Sequence, residues 1–220
     1  MNAGNIDNGN KGDGANESKK SEKPEPETSQ EAIMQATYRA LCNCGAADFT
    51  IQAVADEFAK SKSLIFYHYD TREDLLSAFL VYLIDRFEEQ VAETDIEDAD
   101  EELDGLIDAL LFGPDDNEDF QTAMFELRSQ APFNETYREQ FRTNRSHTHE
   151  LFEGVIERGI EDGVFTEVDA SRIATLILTT IDGARTQLVV YGDDEILDTA
   201  RELIDAQLAV VLFAAGEDGK

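Results

Sequence analysis

From Glu31 onward apolar residues recur every three to four positions, and no stretch shows the strict alternation that a half-buried strand requires. The chain is therefore expected to be all-α. Ile33, Ala36, Thr37, Ala40 and Leu41 share one face of a first helix, which Gly45 should end. Thr50 is placed to cap a short second helix carrying Ile51, Val54, Ala55 and Phe58. After the turn Ala59-Lys60-Ser61, a third short helix holds Leu64, Ile65 and Tyr67, and Arg72-Glu73-Asp74 opens a long fourth helix with Leu75, Leu76, Phe79, Leu83 and Phe87. Three short helices thus feed one long one. Downstream, Gly113-Pro114 separates helix five from six, and Ala131-Pro132 separates six from seven. Helix seven should run from about Asn134 to Asp162, with Tyr137, Phe141, Leu151, Phe152, Val155 and Ile156 inward and Gly163 closing it. Two strongly apolar helices follow, Asp169 to Tyr191 and Asp194 to Ala214, parted by Gly192-Asp193. The total is about nine helices with no internal repeat.

Residues 1–30 break this pattern. They are mostly Asn, Gly, Ser, Lys, Glu and Pro, without an aromatic, and read as a disordered N-terminal arm. Lys19, Lys20 and Lys23 could touch DNA, but Glu17, Glu22, Glu25 and Glu27 are interleaved with them, which favours a solvated tail. The rest divides into a three-helix head at 31–76 and a six-helix body at 77–214.

Charge sharpens that division. The 220 residues carry 48 acidic and 18 basic side chains, a formal net charge of -30. Disordered acidic chains reach such values, but they lack the 13 Phe, 6 Tyr and apolar stripes found here. An acidic shell over a folded core suits a cytoplasm rich in salt, where screening shortens self-repulsion to roughly 3 Å at 1 M. A halophilic source is the expectation. Residues 77–220 hold 10 basic and 35 acidic groups, whereas residues 31–76 hold 4 and 7. Between Glu31 and Asp218 the only lysines are Lys60 and Lys62, flanking Ser61. One segment has stayed nearly neutral inside an anionic chain, as a phosphate-facing surface would require.

Other chemistries find little support. Cys42 and Cys44 are the only cysteines; on a helix, positions i and i+2 face apart, so a shared metal site is poor and at least one reads as a small buried hydrophobe. His147 and His149 diverge in the same way, and the third histidine is His68 in the head. No nucleophile elbow, phosphate loop, zinc signature or dinucleotide fingerprint is present, so neither an enzyme nor a cofactor is expected. An acidic pair such as Glu126 with Glu153 is expected by chance among 48 carboxylates. No leading apolar segment follows the start Met, and no apolar run approaches the roughly 18 residues that span a bilayer, so a soluble cytoplasmic chain is expected.

The segment Thr50-Ile51-Gln52-Ala53-Val54-Ala55-Asp56-Glu57-Phe58-Ala59-Lys60-Ser61-Lys62-Ser63-Leu64-Ile65-Phe66-Tyr67-His68-Tyr69, followed by Arg72-Glu73-Asp74-Leu75-Leu76, resembles the helix-turn-helix of TetR repressors in residues and spacing. The resemblance implies a DNA-binding transcriptional repressor released from its operator by a small-molecule inducer. It implies that Thr50 and Arg72 clamp the DNA backbone; Lys60 and Ser61, in the turn of the motif, are expected to belong to the DNA-binding surface as well. Lys62 and Ser63 would begin a recognition helix, where side chains reach base edges in the major groove. Phe66 would meet a thymine methyl, while Tyr67 and His68 would hold phosphates. Tyr69 stands open between core packing and phosphate contact. The chain departs from the family pattern at Ala59, where Gly is usual, at Lys60 for a buried Val, at Leu64 for a Thr that often touches phosphate, and at Asp70 for a frequent Lys.

Beyond Leu76 the resemblance is to choline- and multidrug-responsive members, most visibly from Glu157 to Phe165 and from Ile181 to Ala184. It implies a homodimer through the last two helices, with Ile173, Leu176, Ile177, Thr180, Leu188, Ile196, Leu203, Ile204, Leu208, Val211 and Leu212 supplying apolar surface. Two recognition helices would then lie about 34 Å apart on double-stranded DNA. An inducer pocket would be lined by Phe87, Phe112, Met124, Phe125, His147 and Phe152, each of which also reads as ordinary core packing. The competing reading of the whole chain is an acidic helical interaction protein whose degenerate head no longer reads DNA.

Overall fold

The computed structural model describes residues 29–58, 62–92, 98–113 and 118–213. Nine helices occur among them, and no strand. They are α1 (Ser29–Cys44), α2 (Ile51–Glu57), α3 (Lys62–His68), α4 (Arg72–Ala92), α5 (Ala99–Leu111), α6 (Glu118–Gln130), α7 (Glu135–Glu161), α8 (Ala170–Tyr191) and α9 (Ile196–Val211). Most of the N-terminal arm and the Ala59-Lys60-Ser61 turn lie outside the described residues.

Local chemistry sets the helix starts. Thr50 Oγ1 accepts from Ala53 N–H at 3.0 Å, Asn134 Oδ1 from Tyr137 N–H at 3.2 Å, and Asp169 Oδ1 from Arg172 N–H at 3.1 Å. At α4 the cap is reciprocal: Thr71 Oγ1 accepts from Asp74 N–H, and Asp74 Oδ2 accepts from Thr71 N–H, a capping box one residue before Arg72. At the end of α7, Gly159 has a packing reason. A Cβ there would lie 2.2 Å from the Phe165 ring, so only glycine lets that ring fold back on the helix.

Two cores result. The first gathers Ile33 and Leu41 of α1, Phe49, Val54 of α2, Ile65 of α3 and Phe79 of α4, together with Ala123 and Leu127 of α6 and Tyr137 of α7. Tyr38 and Phe79 both pack on Phe120, with ring centroids 4.7 and 6.4 Å apart. Packing therefore crosses Leu76, and α6 serves as a wall of the head. The second core joins α5, the C-terminal half of α7, α8 and α9 through Leu103, Ile107, Phe152, Ile156, Ile177, Ile181, Ile204 and Leu208. Thr166 ties off α9 by donating its N–H to Leu212 O at 2.8 Å and its hydroxyl to Val211 O at 2.7 Å.

Among the described residues α8 is the one helix long and apolar enough to cross a membrane by length and composition, which corrects the expectation that no such segment occurs. Its apolar content goes largely into the second core, and Asp182 within it is ion-paired to Arg128 and Arg145.

Candidate nucleic-acid interface

α3 separates an inner from an outer row. Ile65 is buried and Leu64 half-buried against the first core, while Lys62, Ser63, Phe66, Tyr67 and His68 are exposed. Phe66 and Tyr67 leave 53 % and 81 % of their surfaces in solvent, unusual for aromatics that a core could absorb. Positions 62, 63, 66 and 67 follow helical spacing, so they form one outward face. Tyr69 turns the other way and is buried, its phenol pKa raised chiefly by that burial, which resolves its two readings in favour of the core.

The cation on this face is not idle. Lys62 Nζ lies 2.7 Å from Asp56 Oδ1, and Gln52 Nε2 donates to the same oxygen at 2.8 Å. The Lys62 hydrogen bond, with Gln52 adding to it, holds the Asp56 carboxyl below the usual carboxylate range. Lys62 thus bridges α3 to α2 and must leave Asp56 to reach DNA. Ser63 also has a partner within the chain. Lys60 and Ser61 lie outside the described residues.

Arg72 is folded inward. Its Nη2 donates to Ala46 O at 2.5 Å and its guanidinium stands 5.9 Å from the Phe49 ring centre. It fastens the α1–α2 turn to the start of α4. From the opposite side, Glu126 of α6 reaches the same turn, where its Oε2 accepts from Ala46 N–H at 2.6 Å and Ala47 N–H at 3.2 Å. Gly45 sits below with φ +69, and a Cβ there would come 3.1 Å from that carboxylate oxygen. A carboxylate 80 residues away in sequence is part of the head. Sequence periodicity carries no signal for this contact. Glu153 is engaged elsewhere, 3.4 Å from His149 Nδ1, so Glu126 and Glu153 do not form a working pair.

The six residues expected to line an inducer pocket are not gathered in one place. Phe152 is fully buried in the second core, with Phe87 and Phe112 packed half-buried against it. Met124 packs against the first core, and Phe125 is half-buried on the same helix. His147 is exposed on α7, 3.6 Å from Glu88 Oε1, and borders an open groove of about 260 Å³ with Glu88, Glu150 and Leu151. His149 points to α8, with Nε2 at 3.1 Å from both Ser171 O and Thr175 Oγ1. Among the described residues no group of three or more His, Cys, Asp or Glu is placed to hold a metal ion.

The apolar surface expected at the end of the chain also divides. Ile173, Ile177, Ile204, Leu208 and Leu212 are buried in the chain's own core, a correction to their reading as partner-facing residues. Leu176 and Leu203 are exposed, and with them Val190, Tyr191, Val210 and Phe213.

A short α2 and α3 held on a helical body, with a polar and aromatic row turned outward from α3, define a helix-turn-helix transcription factor. Residues 99–212 match the family of BetI-type transcriptional repressors, C-terminal part. A TetR transcription regulator from Haloarcula marismortui is 45 % identical, with 83 % of this chain and 97 % of that one covered and a TM-score of 0.76. The chain belongs to the TetR family, whose members are transcriptional regulators rather than enzymes. The fold is also that of a transcriptional regulator from Saccharomonospora viridis in complex with choline, at 24 % identity, 83 % and 96 % coverage and a TM-score of 0.70. FadR from Bacillus subtilis, in complex with stearoyl-CoA, shares it at 18 % identity, 82 % and 98 % coverage and a TM-score of 0.64. No curated protein matches the chain.

Proposed function

We propose that two copies of this regulator join through α8 and α9, hold a double-stranded operator with their α3 helices, and release it when a small molecule binds the body. The observation that carries this reading is the outward row Lys62, Ser63, Phe66, Tyr67 and His68 on a head of otherwise low net charge. Lys62 and Ser63 address base edges, Phe66 a thymine methyl, and Tyr67 and His68 phosphates. Thr50 serves first as a helix cap and Arg72 as a fastener of the α1–α2 turn, so each supports the phosphate contact through the backbone it positions. Lys60 and Ser61 would complete the contact from the turn. The exposed Leu176, Leu203 and Val210 support pairing through α8 and α9. The Haloarcula relative and the acidic shell support a salt-rich cytoplasm as the working medium. A ligand touching Phe87, Phe112, Met124, Phe125, His147 and Phe152 together would have to part α7 from its neighbours, since Phe152 is sealed in the core. The complexes of neighbours with choline and stearoyl-CoA support a body that takes small molecules.

Lys62→Ala and Tyr67→Phe test this reading. At matched salt, Lys62→Ala should cost about 1–3 kcal/mol on the operator and blur one base position, whereas Tyr67→Phe should weaken operator and scrambled duplex alike. The Lys62–Asp56 pair keeps the rival reading in view, because the head's described lysine is already neutralised within the chain. If the wild type shows no sequence preference and neither substitution matters, the chain is an interaction protein with a degenerate head.

A further inference from the structure

Residues 77–220 contain 35 acidic groups and only 10 basic ones, so a cluster in which guanidiniums outnumber carboxylates runs against the grain of the body. One such cluster forms where α6, α7 and α8 meet. Arg128 Nη1 lies 3.0 Å from one Asp182 oxygen and Arg145 Nη1 lies 2.7 Å from the other. Arg185 stands one turn beyond Asp182 on α8. Its Nε is buried with no hydrogen-bond partner. Burial first, and then the Arg128 charge, pull the Arg185 pKa down to about 10, with Asp182 opposing only in part. One carboxylate thus faces three guanidiniums. Buried arginines are normally paired, because an uncompensated buried charge is strongly destabilising. A purely structural network would have been closed with more of the carboxylates that this chain has in excess.

We propose that Arg128, Arg145 and Arg185 form a binding site for an oxyanion, the carboxylate or phosphate group of a small effector, and that this inference rests on the reading of the chain as a ligand-released repressor. Arg128 and Arg145 each spend one Nη on Asp182, and among the described residues no other acceptor is assigned to them. Each guanidinium has five N–H donors in a planar fork, a geometry suited to carboxylate and phosphate rather than to a spherical halide. The Phe141 ring, 5.7 Å from Arg128 Cζ, backs that fork. Arg128 and Arg145 are about half exposed, so an anion can approach from solvent. The site also avoids the proposed dimer face: Arg185 is nine positions from the exposed Leu176, roughly 180° around α8. A cationic effector would be repelled here.

The position also reaches the head. Arg128 follows Glu126 by two residues on α6, and Glu126 holds the Ala46 and Ala47 N–H groups. An anion that draws Arg128 and Arg145 away from Asp182 loosens α6 from α8 and shifts the turn that carries Glu126.

The test uses the full chain in KCl, with inorganic phosphate and malonate titrated separately at constant ionic strength while melting temperature and operator binding are followed. One of the two should raise the melting temperature saturably and weaken operator binding, and the better probe assigns phosphate or carboxylate. Arg145→Gln, at a half-exposed position that the fold should tolerate, should lose at least about tenfold in apparent affinity, the scale of one lost charge-assisted pair. Arg185→Met should abolish the response yet melt above the wild type without the anion, because a guanidinium whose buried Nε has no partner and whose charge Asp182 offsets only in part is gone. Glu126→Gln should bind the anion normally but no longer pass it to the DNA. No saturable rise with either probe, or Arg145→Gln titrating like the wild type, overturns the site. Saturable binding with no effect on DNA overturns its role as the effector site and leaves the repressor reading intact. A wild type that binds no operator sinks the repressor reading, while the melting titration still reports on the site.

Discussion

The head and the body were built under different electrostatic rules. Residues 31–76 carry 4 basic and 7 acidic groups, whereas residues 77–220 carry 10 and 35. Yet the head is not a basic patch. Arg39 is spent on Glu57, with Nη2 donating to the Glu57 carbonyl at 3.0 Å; Arg72 is spent on Ala46 O; and Lys62 is spent on Asp56. What distinguishes the head is a small surplus of anions, three against the body's 25, and among the described residues each of its cations has a partner within the chain. In an acidic protein, near neutrality is enough to let a phosphate backbone approach, provided bulk salt screens the body.

The sharpest way to separate head from body is at α9. Leu208 is 5 % exposed and belongs to the second core, while Val210, two residues on, is 65 % exposed. Leu208→Glu would bury an unpaired carboxylate and should destabilise the fold by more than about 4 kcal/mol. Val210→Glu, combined with Leu176→Glu, should leave the melting temperature of the protomer nearly unchanged but yield monomers by light scattering at micromolar concentration. Such monomers should keep weak, salt-sensitive DNA binding and lose operator preference, since one head covers half a site. Dimers that persist in the double variant would place the interface elsewhere.

Salt should affect the two regions unequally. With 35 acidic groups the body repels itself when unscreened, so raising KCl from low to molar concentration should lift the melting temperature by more than about 10 °C, several kcal/mol for a chain of this size. Exchange protection of α8 and α9 amides should follow salt more steeply than that of α1 and α2. A flat curve would remove the salt-rich cytoplasm from the account.

How much of this was legible in advance depends on the range of each interaction. Helix periodicity is local, so Thr50 as a cap, Asn134 and Asp169 as helix starts, Gly163 and Gly192 as terminators, and the inward set Tyr137, Phe152, Val155 and Ile156 could be read directly. The Thr71–Asp74 capping box was equally local, and its Thr-x-x-Asp spacing was the available signal. The apolar positions of α8 and α9 were recognised, but whether each faces its own chain or a partner depends on neighbours distant in sequence. Leu208 and Val210 show how two positions within one turn of a helix part company. The Glu126 cap, the Arg201 contacts to Asp104 and Asp108, and the Arg128–Asp182–Arg145 bridge span 37 to 97 residues and leave no trace in spacing. Among 48 carboxylates, nothing local marks the few with a particular partner. For the nucleic-acid face, the family resemblance supplied the residues; the sequence alone did not foresee that Lys62 and Arg72 would be held within the chain.

The smallest expected effect bears most directly on how the head meets DNA. Asp56 sits in the last turn of α2, where a negative charge opposes the helix dipole, and it holds Lys62 Nζ at 2.7 Å. Its carboxyl is kept below the usual range by that hydrogen bond, so its contribution to stability is present above the ordinary carboxylate pKa and is lost only as pH falls through the lowered value. At neutral pH the pair is therefore fully formed, and DNA must break it. Asp56→Asn removes one anion from the phosphate-facing side and leaves Lys62 a weaker, neutral partner in the same place. Operator affinity at low salt should rise about threefold to tenfold, and the gain should shrink as KCl is raised, as expected for a change of one charge near phosphate. In the double variant with Lys62→Ala most of the gain should vanish, because the benefit comes through Lys62. Equal gains with and without Lys62 would mean that Asp56 acts only by general repulsion, and no gain at all would mean that the pair also forms on DNA, with Lys62 anchoring α3 to α2 rather than reading a base.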